Sequence, residues 1–277
     1  VVIPLDRVTC AACLAECLDT ANRRYHYPLI SCAQCGPRYT ILHAMPYDRA
    51  RTSMSGYTMC ADCLAEYADP QHRRYHAQNN GCPVCGPRVR FTSAELEADD
   101  QQTAVDGASA LLRDGAIIAL KGIGGYQLVC DATNAAAVAR LRQSKGRPTK
   151  PLAVMVESLE TAQQLAHIDL LEQTALSSSA GPIVIVSCNL CPPLLEPLAA
   201  NVHPGLGQVG LMLPTTALHW LLLRQLQRPL VVTSGNVDGD PLEYCEQVAI
   251  QRLGNLVDGF LHHDRPIVRP IDDSVVR

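Results

Sequence analysis

The sequence predicts an α/β domain behind a small cysteine-rich module, and two observations carry that prediction. Residues 1–95 are Pro- and Arg-rich, polar and dense in cysteine, whereas residues from about 103 to 277 alternate short β-branched runs with Ala- and Leu-rich amphipathic segments. The polar, acidic stretch Ser93–Gln102 is the expected connection. An apolar content of 47% is ordinary for a globular protein, and 277 residues suffice for two domains.

The first module is written twice at an offset of 50 residues. Cys10-x2-Cys13 and Cys32-x2-Cys35 recur as Cys60-x2-Cys63 and Cys82-x2-Cys85, each with eighteen residues between its pairs. The repeat extends beyond sulfur: Leu14, Glu16, Asp19, Arg23-Arg24-Tyr25-His26 and Gly36-Pro37-Arg38 return as Leu64, Glu66, Asp69, Arg73-Arg74-Tyr75-His76 and Gly86-Pro87-Arg88. Two C-x2-C turns bring four thiolates to one ion and leave no position open for substrate, so each unit reads as a structural Zn2+ finger. A disulfide framework suits a small secreted domain, but no signal peptide precedes the cysteines. Pairing within each repeat and pairing across repeats use the same spacings, and both stay open. So little apolar sequence should fold only with metal. Cys17 is a thiol beyond the expected eight.

Charge gives little support for a nucleic-acid partner. The net charge is −4, and residues 1–95 hold ten arginines against eight acidic residues. Binding of RNA, double-stranded RNA included, through Arg23, Arg24, Arg73 and Arg74 is kept as one expectation, and docking of a protein as another. There is no run of eighteen apolar residues and no charged-then-apolar leader after Val1, so a soluble, cytoplasmic chain is expected, as a piece of a longer one.

In the second domain, Ala116–Leu120 reads as a buried strand and is followed by Lys121-Gly122-Ile123-Gly124-Gly125 and a second strand at Tyr126–Cys130. These glycines fit neither a dinucleotide fingerprint nor a P-loop. Asp131 and Thr133 are candidate caps for a helix over Asn134–Gln143, which leads to Lys145, Arg147 and Lys150. The chain has three lysines, Lys121, Lys145 and Lys150, against twenty arginines. Compact point charges so clustered suit phosphate, with complementing a helix C-terminus as the alternative. Pro229–Thr233 reads as a central strand running into Ser234-Gly235-Asn236, whose hydroxyl and amide can bond a phosphate or ribose. His262-His263-Asp264 reads as a surface turn, Cys188-x2-Cys191 as a reduced loop pair, and Cys130 and Cys245 as core thiols.

Lys145-Gly146-Arg147-Pro148 and Ser234-Gly235-Asn236 resemble the K-x-R and S-x-N motifs of YrdC-like domains. Together with the doubled finger, Leu120–Tyr126, Pro151–Met155, Val209–Pro214 and Asp272-Asp273-Ser274-Val275, they resemble the HypF carbamoyltransferases of [NiFe]-hydrogenase maturation. The resemblance implies a twisted mixed sheet with a concave cleft for ATP or an acyl-adenylate, in a transferase that uses carbamoyl phosphate and ATP through carbamate and carbamoyl-adenylate. It implies transfer to the C-terminal cysteine of HypE, and that an acylphosphatase-like domain and a further nucleotide-binding domain belong to the same polypeptide.

By the same resemblance Lys145 and Arg147 would hold the α-phosphate region, Ser234 and Asn236 would bond phosphate or ribose, and Lys121 and Lys150 would complete the cradle. Mg2+ would accompany ATP, with Asp272-Asp273 as candidates. Two departures stand out. Gln127 occupies a position where the family often has His, and Gly181-Pro182-Ile183-Val184 lacks the threonine of related synthases that make threonylcarbamoyl-adenylate. An apolar wall there favours a smaller carbamoyl group over an amino acid, which leaves the threonine-using enzyme as the second reading.

Overall fold

The computed structural model describes residues 3–189, 197–237 and 239–277. Its frame is a mixed sheet of eleven strands in which parallel and antiparallel pairs alternate irregularly.

The two fingers adopt the same local structure. Cys10 and Cys60 stand at the N-termini of α1 (Ala11–Leu18) and α2 (Ala61–Ala68), where exposed N–H groups favour thiolate charge. Each helix is followed by a turn that places His26 or His76 in the left-handed region, at φ 53° and 51°. Repetition in sequence is therefore repetition in backbone.

The sheet starts earlier than the sequence suggested. Strands β1 (Val89–Ser93) and β2 (Glu97–Ala98) lie within the stretch expected as finger and connection, yet β1 pairs antiparallel with β10 (Gly259–His263), aligning Phe91 with Leu261. Phe91 is 1% exposed, and its burial decides the matter over the polar residues around it. Asp100 caps the helix that follows, its carboxylate accepting from Thr103 N at the start of α3 (Gln101–Arg113).

The turn of β3 (Ile118–Lys121) into β4 (Tyr126–Asp131) matches expectation. Helix α4 (Ala135–Lys145) is capped by Asn134, whose Oδ1 accepts from Ala136 N and Ala137 N at 3.0 Å. The expected cap Asp131 instead closes a local turn onto Thr133. The helix ends at Gly146 in the left-handed region, φ 68°.

Onward the chain forms β5 (Ala153–Met155), α5 (Leu159–Leu165), β6 (Ala166–His167), α6 (Leu170–Leu176), β7 (Ile183–Cys188), β8 (Gln208–Met212), α7 (Ala217–Leu226), β9 (Leu230–Ser234), α8 (Glu246–Leu253), β10 and β11 (Val275–Val276). The order is β11-β7-β8-β5-β9-β4-β3-β10-β1-β2, with β6 on β7. Strand β9 is central, as its apolar run predicts, antiparallel to both β4 and β5. The parallel pairs are β3 with β10, β5 with β8 and β7 with β11.

One face of the sheet carries α4, α5 and α8 over Leu128, Val154 and Val231. The other carries α3, α7 and the fingers: Cys13, Cys17, Tyr27 and Ile30 share a single apolar core with Phe91, Leu120 and Leu222. Hydrogen bonds to backbone carbonyls reinforce this seam, with Val268 N donating to Thr40 O at 2.7 Å and Ser53 Oγ to Pro266 O at 2.8 Å. Among the described residues no helix is long and apolar enough to cross a membrane.

Candidate functional site

The cysteines form two tetrads, each within one repeat: Cys10, Cys13, Cys32 and Cys35, and Cys60, Cys63, Cys82 and Cys85. Sγ separations of 3.5 to 3.8 Å in the first, and 3.7 and 3.8 Å in the second, match the edge of about 3.8 Å that a tetrahedron with Zn–S of about 2.3 Å requires. The donor set fits structural Zn2+. Cys17 lies outside the tetrad, buried, with Sγ 3.7 Å from Tyr27 O.

What crosses between repeats is arginine. Arg73 Nη2 donates to Cys10 and Cys13 Sγ at 3.3 and 3.1 Å, and Arg73 and Arg74 grip Glu16. Reciprocally, Arg23 donates to Cys60 and Cys63, while Arg23 and Arg24 hold Glu66. Arg24 and Arg74 are 1% exposed. The arginines proposed as RNA contacts thus offset the excess negative charge of four thiolates around a dication, and their guanidinium groups are engaged internally.

The other predicted residues divide into those the fold gathers and those it does not. Helix α4 ends against the β9 loop, so Lys145 meets Ser234 and Asn236 from 89 and 91 residues away: Nζ lies 2.5 Å from Ser234 O, 2.9 Å from Asn236 O and 2.6 Å from Asn236 Oδ1. Ser234 Oγ donates to Asn236 Oδ1 at 2.8 Å. Gly235 lets this loop cross Tyr126 closely, since a Cβ there would lie 2.6 Å from Tyr126 O. Lys145 is 2% exposed and shapes the loop from behind rather than standing bare in a pocket.

Arg147 and Lys150 line a cleft of about 440 Å³ whose apolar wall includes Leu152, Ile183, Ile185 and Val232. Arg147 is braced by Thr233 Oγ1 at 3.2 Å and Pro151 O at 2.7 Å. Sequence reasoning missed the organiser of this segment. Arg142 donates to the carbonyls of Arg147, Pro148 and Lys150, and to those of Asn201 and Val202, and nothing in the helical sequence around it announces that.

Lys121 is not brought to the cleft. It is 5% exposed, its Nζ donates to His263 O at 2.9 Å, and burial pushes its pKa down to about 8. His262 and His263 are not on a surface turn either: both are 1% exposed on β10, bonded to Tyr126 Oη at 2.7 Å and to Gly122 O at 3.0 Å. Burial lowers both rings' pKa, that of His262 to about 3, so they act as neutral struts for the 121–125 turn. Cys130 is a core thiol, but Cys245 is exposed at the start of α8. Cys188 lies on β7, and Cys191 falls outside the described residues.

That turn lines a second, smaller pocket of about 110 Å³, which joins the larger cleft through Ser234, Asp272 and Asp273. Its far wall is the strap Asp6–Val8 ahead of the first finger. The strap is pinned to Gly36 on one side and to Ser179 and Thr215 on the other. Val8 packs over Gly181, where a Cβ would lie 2.4 Å from Val8 Cγ1. Gln127 and Asp273 meet at the junction, Nε2 to Oδ2 at 3.0 Å, and His219 Nε2 lies 2.9 Å from Gln127 Oε1. His219 has no sequence signature.

A twisted mixed sheet with a cleft lined by residues of β5, β7, β8 and β9, and a K-x-R segment meeting an S-x-N loop, defines a YrdC-like domain. In agreement, the Sua5/YciO/YrdC family model, described as telomere recombination, matches residues 110–277, and the HypF finger model matches 9–42 and 59–92.

The chain belongs to the Sua5/YciO/YrdC family and, within it, to the HypF proteins. The carbamoyltransferase HypF of Synechocystis sp. is 51% identical over 98% of this chain and 35% of its own length. A full-length HypF solved in a phosphate- and nucleotide-bound form superposes with a TM-score of 0.91 at 39% identity, over 98% of this chain and 35% of that one. For HypF of T. kodakarensis the TM-score is 0.95 at 40% identity, over 100% and 36%. The chain therefore spans about a third of the length of the HypF proteins it matches.

Proposed function

We propose that this chain is the finger and adenylate-binding part of an ATP-dependent carbamoyltransferase, acting in the cytoplasm. The whole enzyme would take carbamoyl phosphate, release carbamate, activate it with ATP as carbamoyl-adenylate, and transfer the carbamoyl group to the C-terminal cysteine of HypE. The acylphosphatase-like and further nucleotide-binding domains of the same polypeptide would complete the sequence of reactions.

The observation that carries this reading is the pair of joined pockets behind the Lys145–Asn236 loop. An adenosine would lie against the apolar wall of the larger cleft. Arg147 and Lys150 would meet the phosphates, Arg147 as a fork and Lys150 as a point charge, and Ser234 would bond phosphate or ribose from a loop that Asn236 and Lys145 hold in shape. The acyl group would enter the smaller pocket.

Adenylation couples a weak nucleophile to the α-phosphorus with loss of pyrophosphate, so the chain's task is to position the reactants and offset charge moving among phosphate oxygens. Arg147, braced by Thr233 and Pro151, would do this with little reorganisation. Mg2+ would travel on the ATP phosphates and water, with Asp272 and Asp273 nearby. Zn2+, held by the eight finger cysteines, would supply folding energy and no chemistry.

Calorimetric titration of the zinc-loaded chain with a stable carbamoyl-adenylate analogue and its threonylcarbamoyl counterpart tests the reading, with Lys145→Ala and Lys150→Ala as site controls. Binding of the carbamoyl form, weakened by both substitutions, is expected. A preference for the threonylcarbamoyl form would assign the chain to the threonine-using synthases, and binding of neither would refute an adenylate site.

A further inference from the structure

The junction between the two pockets holds a carboxylate whose direction is fixed from three residues away. Thr216 Oγ1 accepts from His219 N at 3.2 Å and lies 2.8 Å from His219 Nδ1, with Thr215 Oγ1 3.3 Å from the same ring nitrogen, so two hydroxyls can donate to it. The His219 ring is buried within α7 and burial lowers its pKa to about 4, so it is neutral; its Nε2 faces an amide oxygen that can only accept, which places the proton on Nε2. That proton goes to Gln127 Oε1 at 2.9 Å. Gln127 can then present only its Nε2 to Asp273 Oδ2, at 3.0 Å. Flipping the amide would set two donors against each other at one end and two acceptors at the other.

Asp273 Oδ1 receives no hydrogen bond or ion pair among the described residues, although the residue lines both pockets. It is therefore open to accept a hydrogen bond from a ligand N–H seated at the junction. The small pocket, about 110 Å³, has room for a carbamoyl group, and Val8 fills the space over Gly181 on its wall.

We propose that Asp273, aimed through Gln127 by His219, is the specificity residue that reads the amino group of the carbamoyl unit by accepting one of its N–H protons. This rests on the adenylate reading above. A methyl in place of the amino group leaves the carboxylate desolvated and unmatched, and an anionic oxygen there meets like charge. Acetyl and carboxyl groups are thereby rejected while carbamoyl is kept. Gln127 and His219 are positioning residues: neither donates to the ligand's amino group, and both decide where Asp273 points.

The test compares two isosteric probes, 5′-O-(N-carbamoylsulfamoyl)adenosine and its N-acetyl counterpart, with AMP as a third, on the zinc-loaded chain. The native chain should bind the carbamoyl probe at least about tenfold more tightly than the acetyl probe, the ratio expected for one matched polar contact. Asp273→Asn, which can turn an N–H toward the ligand, should bring that ratio to about one or invert it. His219→Phe should lower it in a folded protein, and if circular dichroism finds that variant unfolded, Gln127→Leu breaks the same link. Equal affinity of the native chain for both probes, or an unchanged ratio in Asp273→Asn, overturns the assignment while adenylate binding stands. Failure of all three probes to bind overturns the adenylate reading itself, and this assignment with it.

Discussion

Arg73 Nη2 donates to Cys13 Sγ at 3.1 Å, across 60 residues and from one finger to the metal cluster of the other. Arg23 returns the contact on Cys63 at 3.2 Å. The negative charge of each tetrad is therefore offset by arginine from its neighbour, and the two repeats form one unit although each has its own four cysteines.

Arg73→Leu should accordingly loosen zinc in the first finger and spare the second. Losing a charged donor to a metal ligand costs roughly tenfold or more in metal affinity. Zinc release to a chromophoric chelator, followed in Arg73→Leu and Arg23→Leu with cadmium or cobalt spectra to assign the clusters, should give opposite patterns. Loss from an arginine's own finger in either variant would refute the exchange.

Chelation should reach beyond the fingers. Cys13, Cys17, Tyr27 and Ile30 belong to the same apolar core as Phe91, Leu120 and Leu222, so stripping zinc exposes one face of the sheet. A strong chelator is expected to lower the melting temperature of the whole chain in one transition and to raise binding of a hydrophobic dye. An α/β domain melting unchanged after zinc loss would show that the shared core contributes little.

Lys121 gives a prediction that runs with pH. Its folded-state pKa of about 8 lies below the ordinary lysine value of 10.5, so the unfolded chain binds more protons between these values and stability rises with pH across that window. Below pH 8 the full cost of a buried ammonium is present, on the order of 3 kcal/mol before its bond to His263 O is set against it. Lys121→Met should therefore be more stable than the native chain at pH 7 and lose that advantage near pH 10.5, by urea unfolding. Its affinity for an adenylate analogue should stay within about twofold, since the side chain does not reach the cleft. A stability difference independent of pH would contradict the burial argument.

The sequence displayed what is local and periodic: the repeated cysteines, the β3–β4 turn, the central strand β9 and the helix over 134–143 that becomes α4. It also paired Lys145 with Ser234 and Asn236, through a motif resemblance and not through spacing. It misjudged Lys121, because a lysine at a strand end looks the same whether its ammonium meets a ligand or the carbonyl of a strand 142 residues away. His262 and His263 failed for the same reason: burial on β10 depends on the β1 hairpin that covers it, and the polar residues 92–102 disguise that hairpin. His219 and Arg142 act through contacts 92 and about 60 residues distant. Long-range polar contacts of single residues leave no periodic trace.

Lys145 and Asn236 supply the last prediction. The ammonium bridges Ser234 O, Asn236 O and Asn236 Oδ1, while Asn236 Nδ2 reaches on to Asp240 O at 2.5 Å, so lysine and loop form one hydrogen-bonded unit. Removing either side chain should release the same loop. Lys145→Ala and Asn236→Ala are each expected to weaken binding of an adenylate analogue by roughly 10- to 100-fold, the cost of unmaking a charged hydrogen bond in a buried setting. The double variant should lose hardly more than either single one, because residues that share a network do not contribute independently. Additive losses in the titrations would mean that Lys145 and Asn236 touch the ligand separately, with lysine leaving its loop to meet phosphate directly.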